Sequence, residues 1–147
     1  MKLVFSLLLI GVGLFQTIVY LRLKKTFNRW PTVAGEITHS RLLNQMDAEG
    51  KNVLEAIIYF KYNFRGKEYE SNTPALRGYD FFPSFDYEHG LVKKYPKGEV
   101  VNLKVHPNEP NLAYLEVAPF SKISAALAPL GIILLVAYYV WLGELAF

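Results

Sequence analysis

Two uncharged apolar stretches, one near each end of the chain, constrain its fold more than any other feature. Residues 3–21 read LVFSLLLIGVGLFQTIVYL and residues 123–142 read ISAALAPLGIILLVAYYVWL, and neither contains a charged side chain. At a rise of about 1.5 Å per residue, either stretch can form a helix of roughly 30 Å, which matches the hydrocarbon layer of a bilayer. The pattern predicts two transmembrane helices, which we assign to residues 1–25 and 121–147.

A cleaved signal peptide is the alternative for the first stretch, and a buried core helix is the alternative for the second. A signal peptide has an apolar region of about 7–15 residues, followed by a small-residue cleavage site. Here 19 apolar or weakly polar residues run directly into the basic sequence RLKK at residues 22–25, which favours an uncleaved anchor. A domain this small can hardly surround an entirely apolar helix, which favours a second span.

Basic residues near the two stretches predict the orientation of the chain in the membrane. Lys122 lies just before the second stretch, and four basic residues follow the first: Arg22, Lys24, Lys25 and Arg29. Positive residues favour the cytoplasmic side, so we expect a two-pass protein of the bacterial inner membrane, with a cytoplasmic central segment and both termini outside. The rule works best for shorter loops than this one, so the opposite orientation stays open. The chain has no cysteine, which excludes an exported domain held together by disulfides.

The four basic residues after the first stretch are also candidates for contact with lipid headgroups. Arg22, Lys24, Lys25 and Arg29 could each gain about 1 kcal/mol from an anionic membrane surface. Membrane lipids are therefore expected partners. The alternative is that these residues set the topology and do nothing else.

Small and polar residues within the two stretches predict that the helices pack against each other or against a partner. Gly13 and Thr17 are four residues apart, as are Ser124 and Ala128, and such pairs let helices approach closely. Gln16 is the one strongly polar residue in the first stretch, and we expect it to hydrogen-bond to the second helix or to a partner. Small residues are common in any apolar span, so this role is predicted from spacing alone.

The central segment, residues 28–120, has the alternation of apolar and polar residues that is typical of β-strands. A polar loop is expected at residues 44–52, and Arg65-Gly66 is expected to turn a hairpin. One face of the first strand is predicted to carry Val33, Gly35, Ile37 and His39. The predicted strands lie near residues 33–40, 55–64, 67–72, 100–105 and 112–115.

Residues 78–90, GYDFFPSFDYEHG, combine turn residues with many aromatic rings. Tyr87, Leu91 and Tyr95 recur at a spacing of four and predict a short helix packed on the sheet. The rings before this helix could cover the core, contact the membrane interface or form a ligand site. We take these rings as candidate interaction residues: Tyr79, Phe81, Phe82 and Phe85.

Together these patterns predict a membrane α+β fold. The N- and C-terminal transmembrane helices are expected to flank a small, mostly antiparallel β domain. That domain is expected to contain about five strands and one short helix, and it could close into a barrel.

The charged and polar residues do not form the pattern of a known catalytic or metal site. His39, His89 and His106 have neither H-x-H nor H-E-x-x-H spacing, and no cysteine can complete a zinc site. Asp80 and Asp86 could act as paired acids, but acids are common in turns and in first helical turns. No G-x-S-x-G, Walker or G-x-G-x-x-G motif occurs, and no cationic aromatic face is visible. We therefore expect no enzyme activity, no cofactor, no metal and no nucleic-acid partner.

Three motifs in the central segment are similar to those of a known family. Trp30-Pro31 is followed by Gly35-x-Ile37, residues 59–69 read Y-x-K-Y-x-F-x-G-K-x-Y, and residues 95–116 read Y-P-x-G-x-x-V-x-x-x-V-H-P-x-x-P-x-x-A-x-L-E. This pattern resembles the bacterial domain-of-unknown-function family 3592, from residue 29 to residue 117. The resemblance implies an anchored, mostly β domain and supplies no reaction and no catalytic residues. His106 departs from the family pattern, which has tyrosine or phenylalanine there.

From these observations we expect a non-enzymatic integral inner-membrane protein. Its anchored β domain would be an accessory, scaffold or interaction subunit of a membrane complex. The expected partners are membrane lipids and either another protein or a second copy of the chain within the membrane. The alternative is a ligand- or lipid-binding sensor domain at the membrane surface, with the turn at residues 78–82 as its lid.

Overall fold

The computed structural model describes four stretches of the chain, and the chain divides into a helical unit and a β unit. The described stretches are residues 2–46, 48–50, 52–78 and 86–145. The helical unit comprises Met1–Lys24, Gly78–Pro83 and Pro119–Phe147. The β unit comprises Lys25–Arg77 and Ser84–Ala118.

The described residues form three helices and seven strands. In chain order they are α1 (Lys2–Arg29), β1 (Thr32–Met46), β2 (Asn52–Phe64), β3 (Lys67–Ser71), β4 (Ala75–Leu76), α2 (Asp86–Lys94), β5 (Val100–Val105), β6 (Ala113–Tyr114), β7 (Glu116–Val117) and α3 (Lys122–Leu145).

Helices α1 and α3 coincide with the two predicted spans. Each is long and apolar enough to cross a membrane, with a mean hydropathy of 2.2 over its apolar window. Large apolar side chains on both helices are exposed, including Leu8 at 60% and Ile133 at 63%. The core helix of a soluble protein would bury most such side chains. The chain therefore has two candidate membrane helices at its ends, as the sequence predicts.

Small residues allow α1 and α3 to pack closely within the helical unit. A Cβ added to Gly13 would lie 2.9 Å from the Cβ of Ala128, and one added to Gly131 would lie 2.9 Å from the carbonyl oxygen of Ser6. Neither space admits a larger side chain, because the neighbouring atoms belong to the short or backbone parts of the facing helix.

The main sheet contains five strands in the order β3-β2-β1-β5-β6, and its neighbouring strands are antiparallel. Strands β4 and β7 form a separate parallel pair, which was not predicted. The expectation of a mostly antiparallel sheet of five strands with a short helix is confirmed. No backbone pairing joins β3 to β6 within the described residues, so the sheet stays open. The hydroxyls of Ser71 and Thr73 nevertheless donate to the carbonyl oxygen of Ala113, at 3.3 and 2.9 Å.

The hydrophobic core of the β unit lies between one face of the main sheet and α2. Ile58, Phe60 and Leu103 are fully buried, and Leu91 of α2 packs against them. Buried and exposed residues alternate through most of β2, because successive side chains in a strand point to opposite faces. Burial of each such side chain contributes about 1.5–3 kcal/mol to folding.

The turn between β2 and β3 has the conformation that the sequence predicts. Arg65 and Gly66 have φ angles of +52° and +79°. A two-residue type I′ turn requires a positive φ at both positions, and its twist matches that of the flanking strands. The hairpin is therefore specified locally.

Strand β1 differs from the prediction in its faces and in its length. A β-bulge falls between Ile37, which lies opposite Phe60, and His39, which lies opposite Tyr59. His39 is exposed and does not share a face with Ile37, because the extra residue of a bulge shifts the alternation by one position. The predicted loop at residues 44–52 is also too long, since Met46 still pairs with Asn52.

Candidate functional site

The aromatic residues predicted to form an interaction site lie outside the described residues. They are Tyr79, Phe81, Phe82 and Phe85. The stripe predicted to follow them is described: Leu91 and Tyr95 are buried in the core, and Tyr87 is half-buried against it. These three side chains therefore contribute to packing of α2.

The basic residues predicted to meet lipid headgroups are all on the surface. Arg22, Lys24, Lys25 and Arg29 are exposed and form no ion pair with any described residue. Their charges are thus uncompensated by the described part of the protein.

Two of the residues predicted to pack helices, Gly13 and Ala128, meet at the contact between α1 and α3. Gly13 approaches Ala128, Ser124 is fully buried, and the hydroxyl of Thr17 donates to the carbonyl oxygen of Gly13 at 2.7 Å. Gln16 is also fully buried, but its amide has no hydrogen-bond partner among the described residues. The hydrogen bond expected from Gln16 to the other helix is therefore not formed.

A polar contact that the sequence did not indicate lies at the edge of β2. The carboxylate of Glu88, in the first turn of α2, accepts a hydrogen bond from the buried backbone N–H of Ala56 at 2.8 Å. Its other oxygen pairs with the guanidinium of Arg77, which also lies over the ring of Tyr87. The N–H of Ala56 thus donates to a carboxylate on α2, where in a longer sheet it would donate to the carbonyl oxygen of a neighbouring strand.

A cleft of about 350 Å³ opens beside this contact, within the β unit. One wall is Glu55 and Ala56 of β2, and another is the segment at residues 72–77, which includes β4. Glu88 and Tyr114 complete the lining. The cleft is therefore lined by the edge of β2, by β4 and by the ion pair of Arg77 and Glu88.

A second polar cluster ties α2 to the short strand β7. The carboxylate of Glu116 accepts hydrogen bonds from the hydroxyls of Tyr87 and Tyr95, at 2.8 and 2.6 Å, and it pairs with the ammonium group of Lys94. Lys94 also lies over the ring of Tyr95, 5.1 Å from its centroid. Two side chains of α2 and that of Tyr95, the residue after α2, thus contact the carboxylate of Glu116.

The cluster shifts the pKa values of its members. Burial by itself would raise the pKa of Glu116, but hydrogen bonds from Lys94, Tyr95 and Tyr87 outweigh burial and lower it. Burial and the hydrogen bond to Glu116 raise the pKa of Tyr95 to about 12, and they also raise the pKa of Tyr87. The hydrogen bond to Glu116 raises the pKa of Lys94. The arrangement favours a charged acid and base with protonated phenols, which suits a fixed structural contact.

The sequence contained a partial signal for this cluster. Tyr95 and Glu116 are both positions of the motif at residues 95–116, and the structure brings them together. No comparable signal marks Glu88, because acids are common in the first turn of any helix.

His106 makes local contacts. The Nδ1 atom of His106 accepts hydrogen bonds from the backbone N–H groups of Asn108 and Glu109, at 3.3 and 3.1 Å. Its ring lies 4.9 Å from that of Trp30. In the described part of the chain, no three histidine, aspartate or glutamate side chains are grouped as metal ligands would be.

One comparison with known proteins gives a match. A family model with the description "Domain of unknown function (DUF3592)" matches residues 33–119. No curated protein and no solved structure matches the chain.

Proposed function

The chain belongs to the DUF3592 family of domains of unknown function, and on that premise we propose that it anchors a protein-binding β domain to the bacterial inner membrane. The domain would act as an accessory or scaffold subunit of a membrane complex, without enzymatic activity. It would face the cytoplasm, with both termini on the other side. Two candidate membrane helices and a mostly antiparallel β unit support the anchoring.

The observation that carries the proposal is the long hairpin formed by β1 and β2. From Arg41 to Met46, β1 pairs with β2 and with no other described strand. The apolar side chains of Met46 and Val53 are 75% and 44% exposed at the end of this hairpin.

A hairpin of this kind suits protein binding for a physical reason. A two-stranded ribbon in water is marginally stable by itself, and unpaired strand edges are templates for pairing with another chain. A partner that covers the ribbon would stabilise it and satisfy its free backbone groups. We therefore assign the paired strands of the hairpin, residues 41–46 and 52–57, as the protein-binding surface.

Site-specific cross-linking in cells tests this assignment. A photo-reactive amino acid in place of Met46 should give a discrete cross-linked product of constant mass, whose partner is identified by mass spectrometry. The matched control places the same amino acid at the exposed residue Lys97, which lies outside residues 41–57, where no product is expected. Products of equal yield at both positions, or none at Met46, would contradict the proposal.

Binding of anionic lipid is a second candidate function, supported by the four exposed basic residues that follow the first span. Phosphatidylglycerol added to detergent micelles should raise the melting temperature of the wild-type chain. Glutamine at Arg22, Lys24, Lys25 and Arg29 should abolish that increase. Glutamine at four other exposed basic residues serves as the control: Lys61, Lys67, Lys93 and Lys97. An equal effect of both sets of substitutions would argue against a lipid site after the span.

A further inference from the structure

The edge of β2 that lies away from β1 is only partly paired. Strand β3 pairs with β2 from Phe60 to Phe64, and no described strand pairs with that edge between Asn52 and Tyr59. Alternate residues of a strand direct their backbone groups to alternate sides. The N–H of Ala56 points toward the open side, since it reaches Glu88 on α2.

Glu88 occupies the place that a neighbouring strand would take. Its side chain is largely buried, and its Oε2 atom is 2.8 Å from the nitrogen of Ala56, a typical distance for a strand hydrogen bond. Its other carboxylate oxygen is held by Arg77. A carbonyl of an incoming strand could therefore accept from Ala56 while Glu88 keeps its pair with Arg77.

The space for such a strand is the cleft of about 350 Å³ beside Ala56. Its lining also includes β4, which pairs with β7 and with no other described strand. The cleft is thus bounded by two strands, each with an edge that carries no further ladder in the described structure.

The charges that line the cleft point to the side chains of its ligand. Arg77 and Glu88 neutralise each other, whereas Glu55 is exposed and has no ion pair among the described residues. One negative charge is left uncompensated at the rim. A positive side chain directly across from it would form a favourable cross-strand pair.

We propose that the cleft binds an extended segment of a partner protein, which adds to the open edge of β2, replaces Glu88 at the N–H of Ala56 and sets a lysine or arginine against Glu55. This inference rests on the proposed protein-binding function and identifies the kind of segment bound. Backbone hydrogen bonds would supply most of the affinity, and Glu55 would supply the preference for a basic residue. Glu88 protects the edge when no partner is bound.

Peptide binding to the full-length chain in lipid nanodiscs tests the inference. The probe is a short, fluorescein-labelled peptide of alternating threonine and valine with one central lysine, followed by fluorescence polarisation. Methylation of its central backbone amides removes the strand donors and should weaken binding about tenfold or more. Replacement of its lysine by glutamate should weaken binding about two- to fivefold.

Three variants of the chain locate the site. Glu55→Gln should abolish the preference for lysine over glutamate, whereas the control Glu70→Gln, an exposed acid on β3, should leave it unchanged. Glu88→Gln should bind both peptides more tightly, because a neutral amide oxygen competes less well than a carboxylate for the N–H of Ala56. Circular dichroism and melting curves should show that all three variants remain folded.

Each contrary result overturns a stated part of the inference. Equal binding of the methylated and unmethylated peptides would exclude strand addition, and failure of both to bind would exclude the site. An unchanged lysine preference in Glu55→Gln would exclude the role of Glu55, and unchanged affinity in Glu88→Gln would exclude its role as a substitute strand. If cross-links from Met46 capture a partner while no peptide binds, this inference fails and the proposed function stands. If those cross-links fail, the proposed function fails whatever the peptides show.

Discussion

Gln16 is a buried polar residue in an apolar helix, and burial of its unpaired amide costs folding free energy. The side chain is fully buried, and neither amide atom has a partner among the described residues. Such a group loses its hydrogen bonds to water and gains none from the described residues, at a cost of about 1–3 kcal/mol. Ser124, on α3, is fully buried as well.

We predict that Gln16→Leu stabilises the protein. Leucine has a similar volume and no polar atoms, so the free energy of unfolding should rise by about 1 kcal/mol or more. Unfolding in mixed micelles, with increasing dodecyl sulfate, measures this change. Gln45→Leu, at an exposed position of β1, is the control and should give no comparable gain. A loss of stability in Gln16→Leu would show that the amide makes a favourable contact in the membrane.

Glu116 contributes to stability in a way that depends on pH. Its pKa in the folded state lies below the ordinary value of 4.5, because hydrogen bonds from Lys94, Tyr95 and Tyr87 outweigh burial. In acid, the unfolded state therefore binds a proton at this carboxyl before the folded state does. The contribution is complete above the ordinary pKa and is lost as the pH falls through the lowered one.

We predict that Glu116→Gln flattens the acid side of the stability profile. At neutral pH the variant should be less stable by about 1–3 kcal/mol, since a charge-assisted network is replaced by a neutral one. Below pH 4 the difference between variant and wild type should shrink. Urea unfolding followed over a pH series measures both effects. Glu70→Gln, an exposed acid, is the control, and a constant difference between Glu116→Gln and wild type at all pH values would contradict the prediction.

Among the secondary-structure elements, helices α1 and α3 approach each other closely at Gly13. A Cβ at Gly13 would lie 2.5 Å from the backbone nitrogen of Ala128, whereas a Cβ at Gly11 would meet nothing within 4 Å. The two glycines are two residues apart on one helix and face different surroundings. Spacing alone predicted Gly13 as a contact residue. The structure adds that Gly13 faces the backbone of the other helix, which cannot move aside easily.

We predict that Gly13→Leu separates the helix pair and that Gly11→Leu does not. The larger side chain at Gly13 must push the facing backbone away, which removes the close contact of the helices. The distance between fluorescent probes on α1 and α3, measured by resonance energy transfer, should increase in Gly13→Leu only. Equal distances in the two variants would show that the helices do not pack through this glycine.

The strands show where local pattern is sufficient and where it fails. Alternation in β2 and the Arg65-Gly66 turn predict the β2–β3 hairpin, because both act between close neighbours in sequence. The bulge near His39 was missed, since it depends on how β1 meets β2 about twenty residues later, as the pairing of His39 with Tyr59 shows. The extra pairing of Met46 with Asn52 lies in polar sequence that resembles a loop.

At the scale of the whole molecule, the proposed orientation follows from basic residues beside the spans. Lys122 and the four basic residues after the first span are exposed, which is compatible with an aqueous or headgroup environment. That proposed orientation would place the β unit where a cytoplasmic partner could reach the β1–β2 hairpin.

We predict that a cysteine at Met46 reacts from the cytoplasmic side only. The chain contains no cysteine, so Met46→Cys introduces a single thiol at a position that is 75% exposed. A membrane-impermeant maleimide should label it in inverted vesicles and not in intact spheroplasts. Lys2→Cys is the control and should show the opposite pattern. Labelling of Met46→Cys in intact spheroplasts would reverse the proposed topology.

Features that depend on residues close together in the chain could be predicted from the amino-acid sequence. Two uncharged stretches of about 20 residues specify candidate membrane helices, and period-two alternation with a suitable turn specifies a hairpin. The hydrogen-bond donors that each carboxylate contacts could be identified only from the folded chain. Glu88 reaches Ala56, which is 32 residues away in sequence, and Glu116 collects Tyr87, Tyr95 and Lys94 from a different element. An acid has the same local signature wherever it stands on a helix or strand, and its partner depends on the path of the chain between them.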